Sequence, residues 1–171
     1  CYIAAMEIRP ERPEDSDAID QVVRDAFLSA THTSGTEHLI VRDLRRAGAL
    51  PISLVAAVDG RIVGHVAVSP VAISDGATGW FGLGPVAVMR SHQNRGIGYA
   101  LVDQALRHLK QRGAAGCVVL GEPAYYGRFE FVVDPLLVLE GVPPGYFQAL
   151  LLAGAPARGT VTYHPAFAAG D

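Results

Sequence analysis

The chain has 171 residues, of which 50% are hydrophobic and 18% charged, with a formal net charge of -3 at pH 7. This balance excludes a disordered chain and, since there is no basic run, argues against nucleic acid as a partner. The presence of only two cysteines, Cys1 and Cys117, excludes a disulfide framework. Because no apolar stretch reaches roughly 18 residues, the sequence predicts no membrane span. We expect one cytoplasmic domain over residues 6–171, with 1–5 an N-terminal extension or a cloning remnant.

The first half of the chain predicts a strand, two helices and a hairpin. The strand covers 6–9, and a helix beginning near Asp15 has an apolar face that ends at Phe27. After a loop over 31–36, a second helix is predicted over 37–46. The hairpin pairs 54–58 with 62–68, since Asp59-Gly60 accepts the positive φ values of a two-residue turn.

The second half predicts a long strand, a long helix and a further hairpin. The strand covers 78–89, and Pro85 within it marks an edge, a bulge or a separation of strands, because proline cannot donate to a ladder. Apolar residues at helical spacing predict a helix over 97–111. Alternation over 147–152 and 160–163 predicts a hairpin at the end of the chain, whose apolar surface would suit a homodimer.

The segment Gln93-Asn94-Arg95-Gly96-Ile97-Gly98 joins that strand to that helix. The first N–H groups of a helix have no helical acceptor, and the helix dipole adds positive charge, so the turn predicts a phosphate site. A P-loop would need Gly-Lys-Ser/Thr, and a dinucleotide fingerprint a third glycine, and both are missing. The remaining pattern, Q-x-x-G-x-G, resembles the acetyl-CoA motif of the GNAT superfamily of N-acetyltransferases, here its predicted acetyltransferase branch.

A second motif downstream supports this resemblance. Residues 118–121 look like the strand that follows the motif helix, and 124–131 are similar to the family's Y-x-x-x-G-F segment, with Tyr126 on its tyrosine. Glu130 replaces the usual glycine, which would supply a left-handed residue, so a different local backbone is expected there.

The resemblance implies an α/β (α+β) fold with a mixed, mainly antiparallel sheet flanked by helices and splayed central strands. It also implies acetyl-CoA as cosubstrate, bound along the strand and the turn. The implied contacts are Val86, Ala87, Val88, Gln93, Asn94, Arg95, Gly96, Ile97, Gly98 and Tyr99.

The implied chemistry is attack of a primary amine on the thioester. Tyr126 is suited to protonate the leaving thiolate, and the Val88 N–H to bind the oxyanion. Tyr125 should point elsewhere, because consecutive helical residues differ by about 100°. Candidate bases are Glu37, His38, His65 and Glu122, and spacing selects none of them. The scattered histidines predict no metal site, and Cys117 is expected in the core rather than as a nucleophile.

The acceptor stays open between a small metabolite, an antibiotic-like amine, a polyamine and a peptide terminus. The main alternative is a CoA or acetyl-CoA sensor without turnover, which the Glu130 departure favours. An oxidoreductase that uses the same glycines ranks third.

Overall fold

The structure is a computed structural model that describes residues 5–28 and 35–168. Most of the predicted loop over 31–36 lies outside these ranges. Within them the helices are α1 Ser16–Phe27, α2 Glu37–Arg46, α3 Ile97–Gln111 and α4 Pro123–Tyr126. The strands there are β1 Met6–Pro10, β2 Ile52–Val58, β3 Arg61–Ile73, β4 Trp80–Val88, β5 Gly116–Leu120, β6 Leu137–Val138, β7 Phe147–Leu151 and β8 Gly159–Tyr163.

Six strands form one sheet in the order β1-β2-β3-β4-β5-β7. Neighbours run antiparallel except β4 and β5, which are parallel. The tight turn between β2 and β3 has positive φ at both Asp59 and Gly60, as its sequence predicts. A mixed, mainly antiparallel sheet flanked by helices confirms the predicted fold class.

Helices cover both faces of this sheet. Helix α3 packs Leu101 and Leu109 against Val66 and neighbouring core residues on one face. On the other face, α1 packs its predicted apolar stripe against Val55 and Ala67. The two faces of the sheet are therefore covered by separate apolar layers. No helix of the described ranges is long and apolar enough to cross a membrane.

The predicted C-terminal hairpin is wrong. Strand β7 pairs with β5, whereas β8 pairs with the far end of β3 and with β6. An isolated two-stranded hairpin is marginal in water. Each strand buries its apolar side better by joining a strand already in place, and Phe147 and Val161 are 4% and 2% exposed as a result.

Candidate active site

The sheet opens between β4 and β5. Their parallel pairing runs from Trp80–Gly116 to Leu83–Val119 and ends there, although β4 continues to Val88 along β3. Pro85 lies two residues beyond the last pair, where its missing N–H costs no ladder bond. The second half of β4 thus has β3 on one side and a gap on the other.

The ladder between β3 and β4 decides which amides face this gap. The Met89 N–H donates to the Val63 carbonyl of β3 at 2.8 Å. Because residues of an antiparallel pair alternate between bonding across the ladder and facing away, the Val88 and Val86 amides point toward the gap. The intervening Ala87 has its side chain in the apolar layer beneath α1.

Helix α3 begins immediately after this strand and its loop. Gly96 caps it with φ +81°, a left-handed conformation that glycine adopts freely. The Ala100 N–H donates to the Gly96 carbonyl at 3.1 Å, so the amides of the three preceding residues have no helical acceptor. This turn has the geometry of an anion cradle, as predicted.

Two side chains hold the loop that carries the cradle. The Gln93 amide donates from Nε2 to the Val88 carbonyl at 3.0 Å. The Arg90 N–H donates to Asp25 Oδ2 of α1 at 2.9 Å, and its guanidinium Nη2 donates to Oδ1 at 3.1 Å. The bonds from Arg90 lower the pKa of Asp25 below its ordinary value. The loop is therefore tied to both β4 and α1.

Gap and cradle open into a single cavity of about 620 Å³. Most of the predicted site residues line it, except Ala87 and Arg95. Three lining residues were not predicted: His92, Tyr125 and Arg128. Tyr125 and Arg128 lie within two residues of Tyr126 in the second motif, so their position in that motif could have identified them. The lining is Val86, Val88, His92, Gln93, Asn94, Gly96, Ile97, Gly98, Tyr99, Tyr125, Tyr126 and Arg128.

Tyr126 lines the cavity beside the end of β5. Its ring packs against Gly121, directly after β5, and meets the rings of Tyr125 and Phe131 edge-on at centroid distances of 5.0 and 6.0 Å. Burial, with smaller contributions from Tyr125 and Cys117, raises the pKa of Tyr126 to about 12. The phenol is therefore protonated at neutral pH.

Tyr125 also lines the cavity, but beside the start of α3 rather than beside β5. Its hydroxyl lies 3.1 Å from the position that a Cβ on Gly98 would take. Tyr126 instead contacts the end of β5. The two tyrosines therefore line different parts of the cavity, Tyr125 at the cradle and Tyr126 near the end of β5.

Glu130 does not disturb this arrangement. It adopts φ +74° and ψ +15°, the left-handed conformation that a glycine would supply. Its N–H donates to the Gly127 carbonyl at 3.0 Å. The motif thus keeps its turn although its glycine is absent, and the expected local departure does not occur.

The family model of the acetyltransferase (GNAT) family matches residues 17–129 of the chain. The chain belongs to this family. It is 39% identical over 127 residues to the uncharacterized N-acetyltransferase YhbS of Escherichia coli K12, covering 74% of this chain and 73% of the relative.

Solved structures of GNAT proteins share the whole fold. The chain aligns with a GNAT family acetyltransferase from Brucella melitensis, solved with acetyl-CoA, at a TM-score of 0.85 and 43% identity, covering 95% and 98% of the two chains. It aligns with Escherichia coli YhbS, solved with CoA, at a TM-score of 0.90 and 33% identity, covering 100% and 96%. These likenesses confirm the predicted family.

We predict that Glu130→Gly raises the free energy of unfolding of this GNAT protein by about 1 kcal/mol, because a side chain is strained in the left-handed region. Urea denaturation measures the change. Glu122→Gly is the matched control, since Glu122 is also exposed but has φ -69°. No stabilisation by Glu130→Gly, or equal stabilisation by both changes, would contradict the prediction.

The four candidate bases lie outside the cavity lining. His38 lines a groove between α1 and α2, and Glu122 is exposed ahead of α4. Glu37 is the first residue of α2. His65 lies on β3 and is fully buried. The structure therefore assigns the base to none of them.

His65 belongs to a chain of hydrogen bonds that runs from the core to a partly buried ion pair. Its Nε2 lies 2.8 Å from Ser53 Oγ, Ser53 also bonds Glu11, and Arg45 Nε donates to Glu11 Oε2 at 2.8 Å. Although burial opposes it, the bonds from Arg45 and Ser53 lower the pKa of Glu11. An ionised carboxylate only accepts, so Ser53 donates to Glu11 and accepts from the His65 Nε2–H.

The burial of His65 predicts that the protein loses stability in mild acid. Burial lowers the pKa of His65 from 6.5 to about 4, so below pH 6.5 the unfolded chain gains a proton that the folded protein does not. The free energy of unfolding should fall by about 1.5 kcal/mol between pH 6.5 and 5 through this residue. Urea denaturation at both pH values, with His65→Gln as the comparison, measures it. Equal pH slopes in the two proteins would show that His65 is not responsible.

Proposed function

We propose that the protein is an acetyl-CoA-dependent N-acetyltransferase that transfers the acetyl group to a primary amine by direct attack on the thioester. The observation that carries this proposal is the single cavity that joins the anion cradle of α3 to the gap beside β4, with the half-buried Tyr126 in its lining. The relatives from Brucella melitensis and Escherichia coli, solved with acetyl-CoA and CoA, support it.

The cavity offers each part of acetyl-CoA a suitable surface. The diphosphate binds the free amides at the start of α3, where Gly98 leaves room against the backbone. The pantetheine arm lies along β4, where the amides of Val86 and Val88 face the gap and can bond its amide groups. The thioester then reaches Tyr126.

The reaction needs an oxyanion donor and a stabilised leaving group. The Val88 N–H, aimed at the gap, can donate to the oxygen of the tetrahedral intermediate. Tyr126 can donate its hydroxyl proton to the departing sulfur. With the free thiol's pKa near 8.5, the departing thiolate is a weaker base than the Tyr126 phenolate, whose phenol has a pKa of about 12, so the proton transfer would be uphill. The burial that raises the pKa of Tyr126 also raises the pKa of a thiol in the same place, which reduces this difference. The buried Cys117 illustrates this, since burial raises its thiol pKa far above the ordinary value.

We infer that the acceptor is a small-molecule or peptide amine, since the described residues that line the cavity include no acidic side chain that would select one class of amine. The composition and the coenzyme favour the cytoplasm. The sensor alternative loses its specific support, because Glu130 preserves the turn that a glycine would form.

The test combines calorimetry with an acetylation assay. We expect CoA and acetyl-CoA to bind far more tightly than NAD or ATP, and an amine panel to reveal thiol release from acetyl-CoA. Tight NAD binding without CoA binding would refute the proposal. Firm acetyl-CoA binding without turnover on any amine would favour the sensor.

A further inference from the structure

Asp25 lies in the last turn of α1, where a carboxylate is unfavourable for the helix itself. The helix dipole places partial negative charge at this end, so basic side chains are favoured there and acidic ones are not. Asp25 instead bonds to Arg90, which lies 65 positions further along the chain. Its Oδ2 accepts from the Arg90 N–H at 2.9 Å, and its Oδ1 accepts from Nη2 at 3.1 Å and from Nε at 3.3 Å. The contact that Asp25 makes is therefore with the loop after β4 and not with α1.

The bond from the Arg90 N–H caps a short helical turn that precedes the cradle. Arg90 is the first residue of the 3-10 turn Arg90–His92, so its amide has no acceptor within the turn. The residue before the turn provides no side-chain cap, and Asp25 supplies the acceptor from another element. The turn leads directly into Gln93, whose side chain bonds to the end of β4. Bonds to α1 and to β4 together fix the segment between β4 and the cradle.

The ion pair within this contact contributes little to the stability of the whole fold. The Arg90 side chain is 49% exposed and that of Asp25 is 25% exposed, and a pair so open to water is strongly screened. The bond to the backbone amide, in contrast, fixes the conformation of one particular segment. The contact is therefore suited to ordering the loop rather than to holding the molecule together.

We propose that Asp25 is a positioning residue for the coenzyme site, whose carboxylate holds the loop after β4 in the conformation that presents the cradle. This inference rests on the proposed function. Asp25 does not line the cavity, so it acts through the Arg90 amide. A loop that is ordered before binding loses less conformational entropy when the coenzyme binds, and this raises the affinity. Asp25 thus connects α1, on one face of the sheet, to a site formed with α3 on the other face.

Asp25→Ala should weaken CoA binding by roughly 10-fold in calorimetry, because binding must then also order the loop. Asp25→Asn keeps an oxygen that can accept from the Arg90 N–H, so it should retain most of the affinity. Arg90→Ala keeps the amide and loses the guanidinium, and it should weaken binding much less than Asp25→Ala does. This order of affinities is expected if the bond to the backbone amide positions the loop.

Asp20→Ala is the matched control on the same helix. Asp20 also forms an ion pair, with Arg24 of α1 at 2.8 Å, and 35% of its side chain is exposed. This variant should bind CoA as the wild type does. Kinetics with an accepted amine add a second measurement, in which Asp25→Ala should raise the KM for acetyl-CoA and leave kcat nearly unchanged. A lower kcat with an unchanged KM would indicate a loss of folded enzyme and would count against the positioning role.

Wild-type CoA affinity in Asp25→Ala, or an equal loss in Asp20→Ala, would overturn the role of Asp25 and leave the proposed function standing. A loss in Arg90→Ala as large as that in Asp25→Ala would also overturn it, since the amide would then not be the group through which Asp25 acts. A wild-type protein that binds no CoA would overturn the proposed function and this inference together.

Discussion

Gly98→Asp should nearly abolish CoA binding and leave the fold intact. A Cβ at this position would lie 3.1 Å from the Tyr125 hydroxyl and 3.7 Å from Val88 Cγ2. The added carboxylate would stand where the diphosphate binds, and like charges at contact distance repel strongly. We expect affinity to fall by roughly 100-fold or more, which is about 3 kcal/mol. Calorimetry with CoA measures it.

The fold should tolerate this change for a clear reason. Gly98 is the second residue of α3, and an acidic side chain in the first turn of a helix is favourable with respect to the dipole. Gly98→Ala is the control that separates crowding from charge, and we expect it to weaken binding much less. Circular dichroism and denaturation report on the fold. Unchanged CoA affinity in a folded Gly98→Asp protein would place the diphosphate elsewhere.

Tyr126→Phe should lower turnover by roughly 100-fold with little change in acetyl-CoA affinity. The ring contacts with Gly121, Tyr125 and Phe131 persist in phenylalanine, whereas the hydroxyl that would serve the leaving sulfur is lost. General acid catalysis is usually worth 10² or more. An interaction formed only in the transition state lowers kcat and kcat/KM together. Steady-state assays with an amine that proves to be an acceptor measure both constants.

Tyr125→Phe is the control on the neighbouring residue. Because its hydroxyl lies by Gly98 at the cradle, its loss should raise the KM for acetyl-CoA and leave kcat nearly unchanged. Tyr126→Phe should therefore lower kcat, whereas Tyr125→Phe should mainly raise the KM for acetyl-CoA. Equal activity of wild type and Tyr126→Phe would remove the acid role from this residue.

Sequence reasoning succeeded where the deciding contacts are local. The cradle depends on Gly96 and the amides that follow it, and the β2–β3 turn on Asp59-Gly60, so both could be predicted from a few adjacent residues. The apolar spacing of α1 and α3 likewise predicted which faces are buried. In each case the conformation is determined by φ preferences or helical periodicity, which a short segment contains entirely.

It failed where a choice among distant partners decides the structure. Alternation predicts that 147–152 and 160–163 are strands, but pairing with β5 and β3 depends on which sheet positions are free. The chain from His65 through Ser53 to Glu11 joins residues 12 and 42 positions apart, and no local pattern marks it.

The same distinction between local and distant contacts applies to the site residues. The sequence by itself determined the glycine turn at the start of α3 and the motif around Tyr126, because both are short segments whose residue types define their geometry. Only the tertiary structure decided that β4 and β5 separate beside them, that Tyr125 faces the cradle, and that Arg128 rests on Tyr99. Those contacts arise when α3 and α4 pack at the open end of the sheet, and packing between elements far apart in the chain is a property of the folded whole.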